Sequence, residues 1–134
     1  MPKFRVWMKS LKWMCDVTNI SFDSKFVDIC QQGDTERYTE MSVEFDEITL
    51  MQSTGLFDRN GKEIFEGDIL DYRGRKALVR WHGSYASFIY RFVDELQNRN
   101  TEWKPLYLAY MKCEIIGNIY ENPELLEDIK CTQK

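Results

Sequence analysis

The residues with the clearest chemical potential are cations that alternate with aromatic rings on neighbouring predicted strands: Tyr72, Arg73, Arg75, Lys76, Arg80, Trp81 and Tyr85. Aromatic rings that stack on bases, beside cations that track the backbone, hold single-stranded nucleic acid, and each stacked base contributes about 1–3 kcal/mol. The pattern therefore predicts a nucleic-acid-binding hairpin that uses six of these residues: Tyr72, Arg73, Arg75, Lys76, Arg80 and Trp81. A purely structural interpretation stays open, in which the rings belong to the core and the Arg-Gly-Arg-Lys turn is a solvated hairpin tip.

A second group of residues indicates protein–protein association, including self-association. Pro105, a residue type usually confined to edge strands, is flanked by three aromatic residues: Trp103, Tyr107 and Tyr110. An edge strand with aromatic faces can recruit another chain by strand addition. Leu125 and Leu126 belong to a short predicted C-terminal helix, which must dock on the sheet or on a neighbouring subunit. A buried aromatic cluster is the competing interpretation.

No arrangement of residues predicts catalysis. The single histidine, His82, lies in a Trp-His-Gly-Ser turn, where a polar turn residue is its ordinary explanation. Asp68 follows Gly67 at a strand entrance, where aspartate commonly accepts hydrogen bonds from nearby N–H groups. The sequence has no glycine-rich phosphate motif, no nucleophile elbow and no paired metal-ligand spacing. We therefore expect a protein that is not an enzyme and that binds no cofactor or metal.

Length and composition predict one globular domain over residues 1–134. Of its 134 residues, 43% are hydrophobic and 30% are charged, which suits a well-cored soluble protein. The formal net charge of −4 argues against a broad attraction to DNA and leaves only a local basic patch open. Four separated cysteines without a CxxC pair, and a start without a signal-peptide apolar core, predict reduced thiols in the cytoplasm. No apolar run approaches the ~18 residues of a membrane span.

Alternation of apolar and polar residues predicts the elements that position these groups. We expect a mostly β, α+β fold: a strongly bent antiparallel sheet with a partly barrelled, SH3-like portion and a short C-terminal helix. Strands are predicted at residues 4–7, 12–17, 26–29, 43–45, 48–51, 68–72, 76–81, 85–92, 106–110 and 114–120. The polar residues 31–40 predict a loop that is able to move. In the longest strand, Phe88, Tyr90 and Phe92 share one face.

Turn and cap residues divide these strands. Asn60 and Gly61 tolerate the positive φ values of a two-residue primed turn, so residues 62–65 are expected to pair back onto residues 56–58. Gly67 and Asp68 form the next turn. Gly117 indicates a bulge or a close approach inside the last strand. Asn122 and Pro123 suit the N-cap and the first position of the C-terminal helix.

These motifs resemble those of the YopX family of phage and prophage proteins. The resemblance is carried by FRVW at residues 4–7, TGLFDRNGKEIFEGDIL at 54–70, VRW at 79–81 and EIIGNIYENPELL at 114–126, and it weakens over residues 31–40 and 94–110. It implies a phage-associated intracellular protein with a compact, β-rich, self-associating fold, and it transfers no catalytic residues. We therefore predict a non-enzymatic binding or assembly module in the host cytoplasm, with a second copy or a host or phage protein as partner and no membrane contact; nucleic-acid binding is the alternative.

Overall fold

The computed structural model describes residues 3–97 and 102–127. Strands dominate the described residues, and they form two antiparallel sheets, which confirms the prediction of a mostly β antiparallel fold. The chain divides into two compact units, Met1–Ser53 and Thr54–Lys134, which we call unit 1 and unit 2. That the two units form the single domain expected over residues 1–134 stays a prediction.

Unit 1 is an antiparallel sheet built from short alternating strands. Its strands are β1 (Phe4–Met8), β2 (Trp13–Ser21), β3 (Phe26–Gln31), β4 (Met41–Glu44) and the first part of β5 (Ile48–Phe57), in the spatial order β4-β3-β2-β1-β5. A 3₁₀ turn, Phe45–Glu47, precedes β5. One face of the sheet buries a core of seven residues: Val6, Met8, Cys15, Val27, Ile29, Val43 and Ile48. The strands predicted for this part of the sequence are confirmed, with bounds that differ by a few residues.

The polar loop predicted between β3 and β4 is internally hydrogen bonded. Asp34 Oδ2 accepts hydrogen bonds from the backbone N–H and the hydroxyl of Thr39, both at 2.6 Å. The Thr39 hydroxyl oxygen in turn accepts a bond from the Gln31 N–H at 2.9 Å. The Thr39 hydroxyl and backbone N–H hold the pKa of Asp34 below its usual range. A carboxylate that accepts several hydrogen bonds therefore organises a segment in which sequence reasoning found only a lack of pattern.

Unit 2 contains the second sheet. After the last part of β5 and its neighbour β6 (Glu63–Phe65), the chain forms β7 (Asp68–Tyr72), β8 (Arg75–His82), β9 (Ser87–Phe92), β10 (Lys104–Pro105) and β11 (Cys113–Asn118). Their order is β10-β9-β8-β7-β11, and 3₁₀ turns occupy Val93–Glu95, Leu106–Leu108, Tyr110–Lys112 and Pro123–Leu126. The core of the unit comprises Ile64, Leu70, Ala77, Val79, Tyr90, Phe92, Leu106, Ala109 and Cys113.

The structure corrects two predicted strands of unit 2 and the predicted architecture of the sheet. The predicted strand at residues 106–110 is a pair of 3₁₀ turns, in which Leu106 and Ala109 are buried because residues three apart share a face. The predicted strand at 85–92 starts only at Ser87, since the chain still turns at Ala86, whose φ is 49°. Instead of one bent, partly barrelled sheet, the described strands form two sheets and no closed barrel. Pro105 has no N–H group and ends β10 after two residues.

The C-terminal helix is not confirmed within the described residues. At the predicted position the chain forms only a 3₁₀ turn, Pro123–Leu126, with proline at its start and no side-chain cap from Asn122. The Asn122 carbonyl oxygen Oδ1 instead accepts a hydrogen bond from the Asn118 N–H at 3.2 Å. Ile129, the last apolar residue assigned to this helix, lies outside the described residues. None of the helices described is long and apolar enough to cross a membrane.

The Asn60-Gly61 hairpin has a longer loop than predicted. Gly61 has a φ of 81°, but Asn60 does not share it, as a two-residue primed turn would require. The Gly61 N–H bonds to the Asp58 carbonyl at 2.9 Å and the Asp58 N–H bonds to the Lys62 carbonyl at 2.8 Å. This is the three-residue loop with glycine in the left-handed position. Asp58 closes it with its carboxylate, so the aspartate two residues before Asn60 decides the turn type.

The three described cysteines are buried free thiols, and two of them, Cys15 and Cys113, belong to the two cores. Burial raises the pKa of both Cys15 and Cys113 to about 11, helped by Cys30 and Asp16 near Cys15 and by Asp71 near Cys113. The thiolate is the reactive form of cysteine. Cys15 and Cys113 therefore pack as small apolar side chains.

We expect Cys15 and Cys113 to resist alkylation in the native protein. A rise of the thiol pKa from 9.0 to about 11 lowers the thiolate fraction at pH 8 roughly a hundredfold. Mass spectrometry after iodoacetamide treatment, in native buffer and in urea, measures the difference at each site. Rapid native labelling at either residue would contradict the burial described here.

Candidate binding pocket

An aromatic cluster forms on one face of the β7–β8–β9 meander. The antiparallel register places Tyr72 opposite Arg75, Phe92 opposite Ala77 and Tyr90 opposite Val79. The ring centroid of Tyr72 lies 6.0 Å from those of both Tyr90 and Phe92. Tyr90 and Phe92 pack edge to face at 5.7 Å, a spacing that stabilises aromatic pairs. Burial raises the pKa of the Tyr90 phenol, with smaller contributions from Tyr72 and Cys113.

Cations surround this cluster. The Arg75 guanidinium carbon lies 3.6 Å from the ring centroid of Phe92, and that of Arg73 lies 5.7 Å from the ring centroid of Tyr72. Lys104 stands opposite Tyr90 on the short edge strand β10. Rings and cations together line a pocket of about 380 Å³, which lies within the usual range for small-molecule sites. We call this cavity the aromatic–cationic pocket. Its lining residues are Tyr72, Arg73, Arg75, Tyr90, Phe92 and Lys104.

The charge of Arg75 is largely balanced within unit 2. Its guanidinium pairs with Asp94 at 2.8 Å and with Glu95 at 3.3 Å, both on the 3₁₀ turn that follows β9. The hydrogen bond with Asp94 is the main reason why the pKa of Arg75 is raised. Arg75 therefore acts as a wall of the pocket that is fixed over Phe92.

The structure brings together only half of the residues predicted to bind nucleic acid. Tyr72, Arg73 and Arg75 line the pocket, whereas Lys76 and Arg80 belong to the opposite face of β8 by strand alternation. Lys76 Nζ donates a hydrogen bond to the Glu127 carbonyl at 3.3 Å. Trp81 is six residues from Arg75 along β8, a separation of ~20 Å. The predicted hairpin surface is thus not continuous.

The far end of β8 carries a second, separate aromatic group. Trp81 packs edge to face on Phe88 with centroids 4.9 Å apart, and the His82 ring stacks on Tyr85 at 4.2 Å. His82 Nδ1 accepts a hydrogen bond from the Tyr85 N–H at 3.4 Å. His82 is therefore the last residue of β8, paired with Ser87 and packed on the turn that follows, and not the turn residue that the sequence suggested.

Sequence reasoning missed three lining residues: Tyr90, Phe92 and Lys104. The signal for the first two was present, because Phe88, Tyr90 and Phe92 alternate on one face of a predicted strand. What it could not supply was the register that sets those rings beside Tyr72. Lys104 carried no local signal, since its position follows from the two-residue pairing of β10 with β9.

The predicted interface residues differ in exposure. Tyr107 is exposed on the 3₁₀ turn Leu106–Leu108, whereas Tyr110 is partly buried against the core of unit 2. Trp103 is half-buried, with the Arg91 guanidinium carbon 5.5 Å from its ring. Leu125 and Leu126 are half-buried on the last 3₁₀ turn.

The predicted turn at Gly67 and Asp68 is confirmed at Gly67, whereas Asp68 is the first residue of β7. Gly67 has a φ of 90° between β6 and β7, and Asp68, which is buried, accepts a hydrogen bond from the Phe65 N–H at 2.8 Å. Gly117 lies at a shift of register between β11 and β7, the bulge that the sequence indicated.

One acidic group in the described residues is compact enough to reach a cation. The carboxylates of Glu44, Asp46 and Glu47 lie within 4.8 Å of one another, and all three are exposed. Glu47 already accepts a hydrogen bond from the Glu44 N–H at 2.9 Å. Its local role is therefore to cap the 3₁₀ turn that precedes β5.

Comparison with known proteins places this β-rich chain in a family. The YopX protein family model matches residues 3–127, so the chain belongs to the YopX family, and the resemblance seen in the sequence is confirmed. Among solved structures it is similar to protein EF1440 from Enterococcus faecalis, with 30% identity and a TM-score of 0.57 over 95% of this chain and 99% of that chain. No curated protein was found to match.

Proposed function

We propose that this protein is a non-enzymatic, phage- or prophage-derived binding or assembly module that self-associates in the host cytoplasm. The observation that supports it most is a row of exposed apolar side chains on the 3₁₀ turns of unit 2. Tyr107, Leu108 and Met111 are 60%, 64% and 57% exposed, and we call them the Tyr107–Met111 surface. Exposed apolar patches on soluble proteins mark interaction sites.

The conformation of these turns accounts for the exposure. Residues three apart share a side of a 3₁₀ helix, so burial of Leu106 and Ala109 directs Leu108 and Met111 away from the core. Burying about 800 Å² per partner suffices for a stable interface, and large apolar side chains supply most of such an area. A second copy is the proposed occupant, with a host or phage protein as the other candidate.

We expect the wild-type protein to sediment as a dimer or larger species at micromolar concentration, and the Leu108→Glu/Met111→Glu variant to sediment as a monomer. Two carboxylates introduced at the centre of an apolar interface would have to be desolvated without partners. Analytical ultracentrifugation over a hundredfold concentration range measures the shift.

Leu11→Glu is the matched control, because Leu11 is also an exposed apolar residue but belongs to unit 1. It should leave the sedimentation unchanged. A wild-type protein that stays monomeric at 100 µM would refute self-association, and a dimer that survives the double substitution would refute the Tyr107–Met111 surface as its interface.

Nucleic-acid binding is the second candidate function, and the aromatic–cationic pocket is the observation that favours it. Rings beside cations match the chemistry of single-stranded nucleic acid. This candidate requires an affinity for single-stranded DNA that weakens with salt. We also propose, from the strand pattern, that the β7–β8–β9 meander resembles part of an SH3-like barrel.

A further inference from the structure

We propose that the aromatic–cationic pocket is a site for a single nucleotide, with the base against Tyr72 and the phosphate between Arg73 and Lys104. This inference rests on the nucleic-acid-binding candidate and narrows it to one nucleotide and one face of the sheet. It also replaces half of the residues that the sequence suggested for that function.

The three aromatic residues of the pocket differ in how much ring surface they offer to a base. Tyr90 and Phe92 are only 6% and 8% exposed, so they offer little ring surface to a ligand. Both rings instead pack against the ring of Tyr72 and hold it in place. Tyr72 is half-buried and lies at the pocket edge of the cluster. A planar base can cover its accessible surface, and a ring already fixed by its neighbours loses little freedom on binding.

The three cations of the pocket differ in how much net charge they offer to a ligand. Arg75 is bonded to Asp94 and Glu95, so it contributes little net charge to a ligand. Arg73 and Lys104 line the same pocket and form no ion pair within residues 3–97 and 102–127. Two uncompensated cations beside an aromatic ring suit a phosphate joined to a base. An acidic peptide would use the cations and leave the ring without a partner.

The dimensions favour one nucleotide over an extended strand. The pocket measures about 380 Å³, near the lower end of the range for ligand sites. Trp81, the next exposed aromatic residue on β8, lies ~20 Å farther along the strand, and Arg80 belongs to the other face. Neither residue can extend the stack that begins at Tyr72.

Isothermal titration calorimetry at low salt tests this site with deoxythymidine monophosphate, thymidine, inorganic phosphate, and hexathymidylate with and without a 5′-phosphate. We expect the monophosphate to bind at least tenfold more tightly than thymidine or phosphate alone. Tyr72→Ala should weaken that binding about 5- to 150-fold, the loss of one stacked base. Arg73→Glu/Lys104→Glu should abolish it and, as a change of exposed residues only, should leave the fold intact.

Arg80→Glu is the control, since it reverses one charge on the other face of β8, where the pocket variant reverses two. It should leave monophosphate binding unchanged. Preference for the 5′-phosphorylated hexamer over the unphosphorylated one would assign the site to strand ends, and binding of the monophosphate but of neither hexamer would assign it to free nucleotides; both outcomes support the pocket.

Two outcomes would overturn the proposal, and they are distinguishable. If hexathymidylate binds and only Arg80→Glu weakens it, nucleic-acid binding stands and the pocket is refuted. If no nucleotide or oligonucleotide binds, the pocket and the nucleic-acid candidate both fail, while self-association remains to be judged by sedimentation alone.

Discussion

Replacing Asp58 by alanine is expected to lower the free energy of unfolding by about 3 kcal/mol or more, the largest effect of any single polar substitution considered. Its carboxylate is 6% exposed and accepts three backbone hydrogen bonds at 2.9 Å. The donors are the N–H groups of Asn60, Lys62 and Ile115. Alanine would leave these part-buried donors without their acceptor, and at about 1 kcal/mol for each lost bond the three together account for the expected effect.

The three bonds join parts of unit 2 that are distant in sequence. Two of them close the hairpin loop between β5 and β6, and the third holds Ile115 on the outer edge of β11. The Arg59 N–H adds a bond to the Cys113 carbonyl at 2.9 Å on the same strand. Asp58 thus stabilises a turn and covers a sheet edge at once, which explains why its loss should be large.

The effect should depend on pH with a definite sign. Burial tends to raise the pKa of Asp58, but the N–H groups of Ile115, Lys62 and Asn60 outweigh it, so the folded-state pKa lies below its ordinary value of 3.8. The ionised carboxylate therefore contributes its full stabilisation above pH 3.8, and that contribution is lost as the pH falls through the folded-state pKa.

Urea unfolding at pH 7 and at pH 3 measures both the loss and its pH dependence. Asp58→Asn should be clearly less stable than the wild type at pH 7, and the difference should shrink at pH 3. Asp71→Ala is the control, because the half-buried Asp71 carboxylate accepts a single bond, from the Gly74 N–H at 3.1 Å, and its loss should cost about 1 kcal/mol or less. Equal effects at Asp58 and Asp71 would show that the buried network contributes no more than a surface turn.

Gly117→Ala is expected to destabilise the protein by about 1–3 kcal/mol, the usual cost of overfilling a packed site. A Cβ atom at this position would lie 2.5 Å from Asn122 Oδ1 and 2.8 Å from Leu125 Cδ1. Asn122 cannot move away without losing its bond to the Asn118 N–H at 3.2 Å. The substitution should therefore displace the 3₁₀ turn Pro123–Leu126 from β11.

Thermal unfolding gives the stability, and amide chemical shifts of residues 118–126 report the displacement. Gly83→Ala is the matched control, since no atom lies within 4 Å of a Cβ built at Gly83 and its φ is not in the left-handed region. That variant should be as stable as the wild type or slightly more so. If Gly117→Ala unfolds within 0.5 kcal/mol of the Gly83→Ala control, the close approach at Gly117 is not a constraint.

Local patterns in the sequence determined the fold class and most strand positions. Alternation of side chains along a strand is a property of neighbouring residues, so the strands at β1, β3, β7, β8 and β11 were predictable from it. Gly117 marked its bulge for the same reason, because an unusual backbone geometry selects a residue without Cβ. The same local rules failed at Leu106, where burial on a 3₁₀ turn resembles burial on a strand.

Only the tertiary structure decided which distant residues meet. Nothing near Asp58 in the sequence indicates Ile115, because the loop that holds Asp58 reaches β11 only in the folded chain. Nothing near Tyr72 indicates Phe92 or Lys104, because strand register across the sheet brings those residues to one pocket. Register also separated Arg80 from Tyr72, although the two residues are close in sequence. The amino-acid sequence by itself determined a mostly β member of the YopX family with defined turns. The pairing of its strands decided the pocket, since a shift of one residue moves every side chain of a strand to the other face.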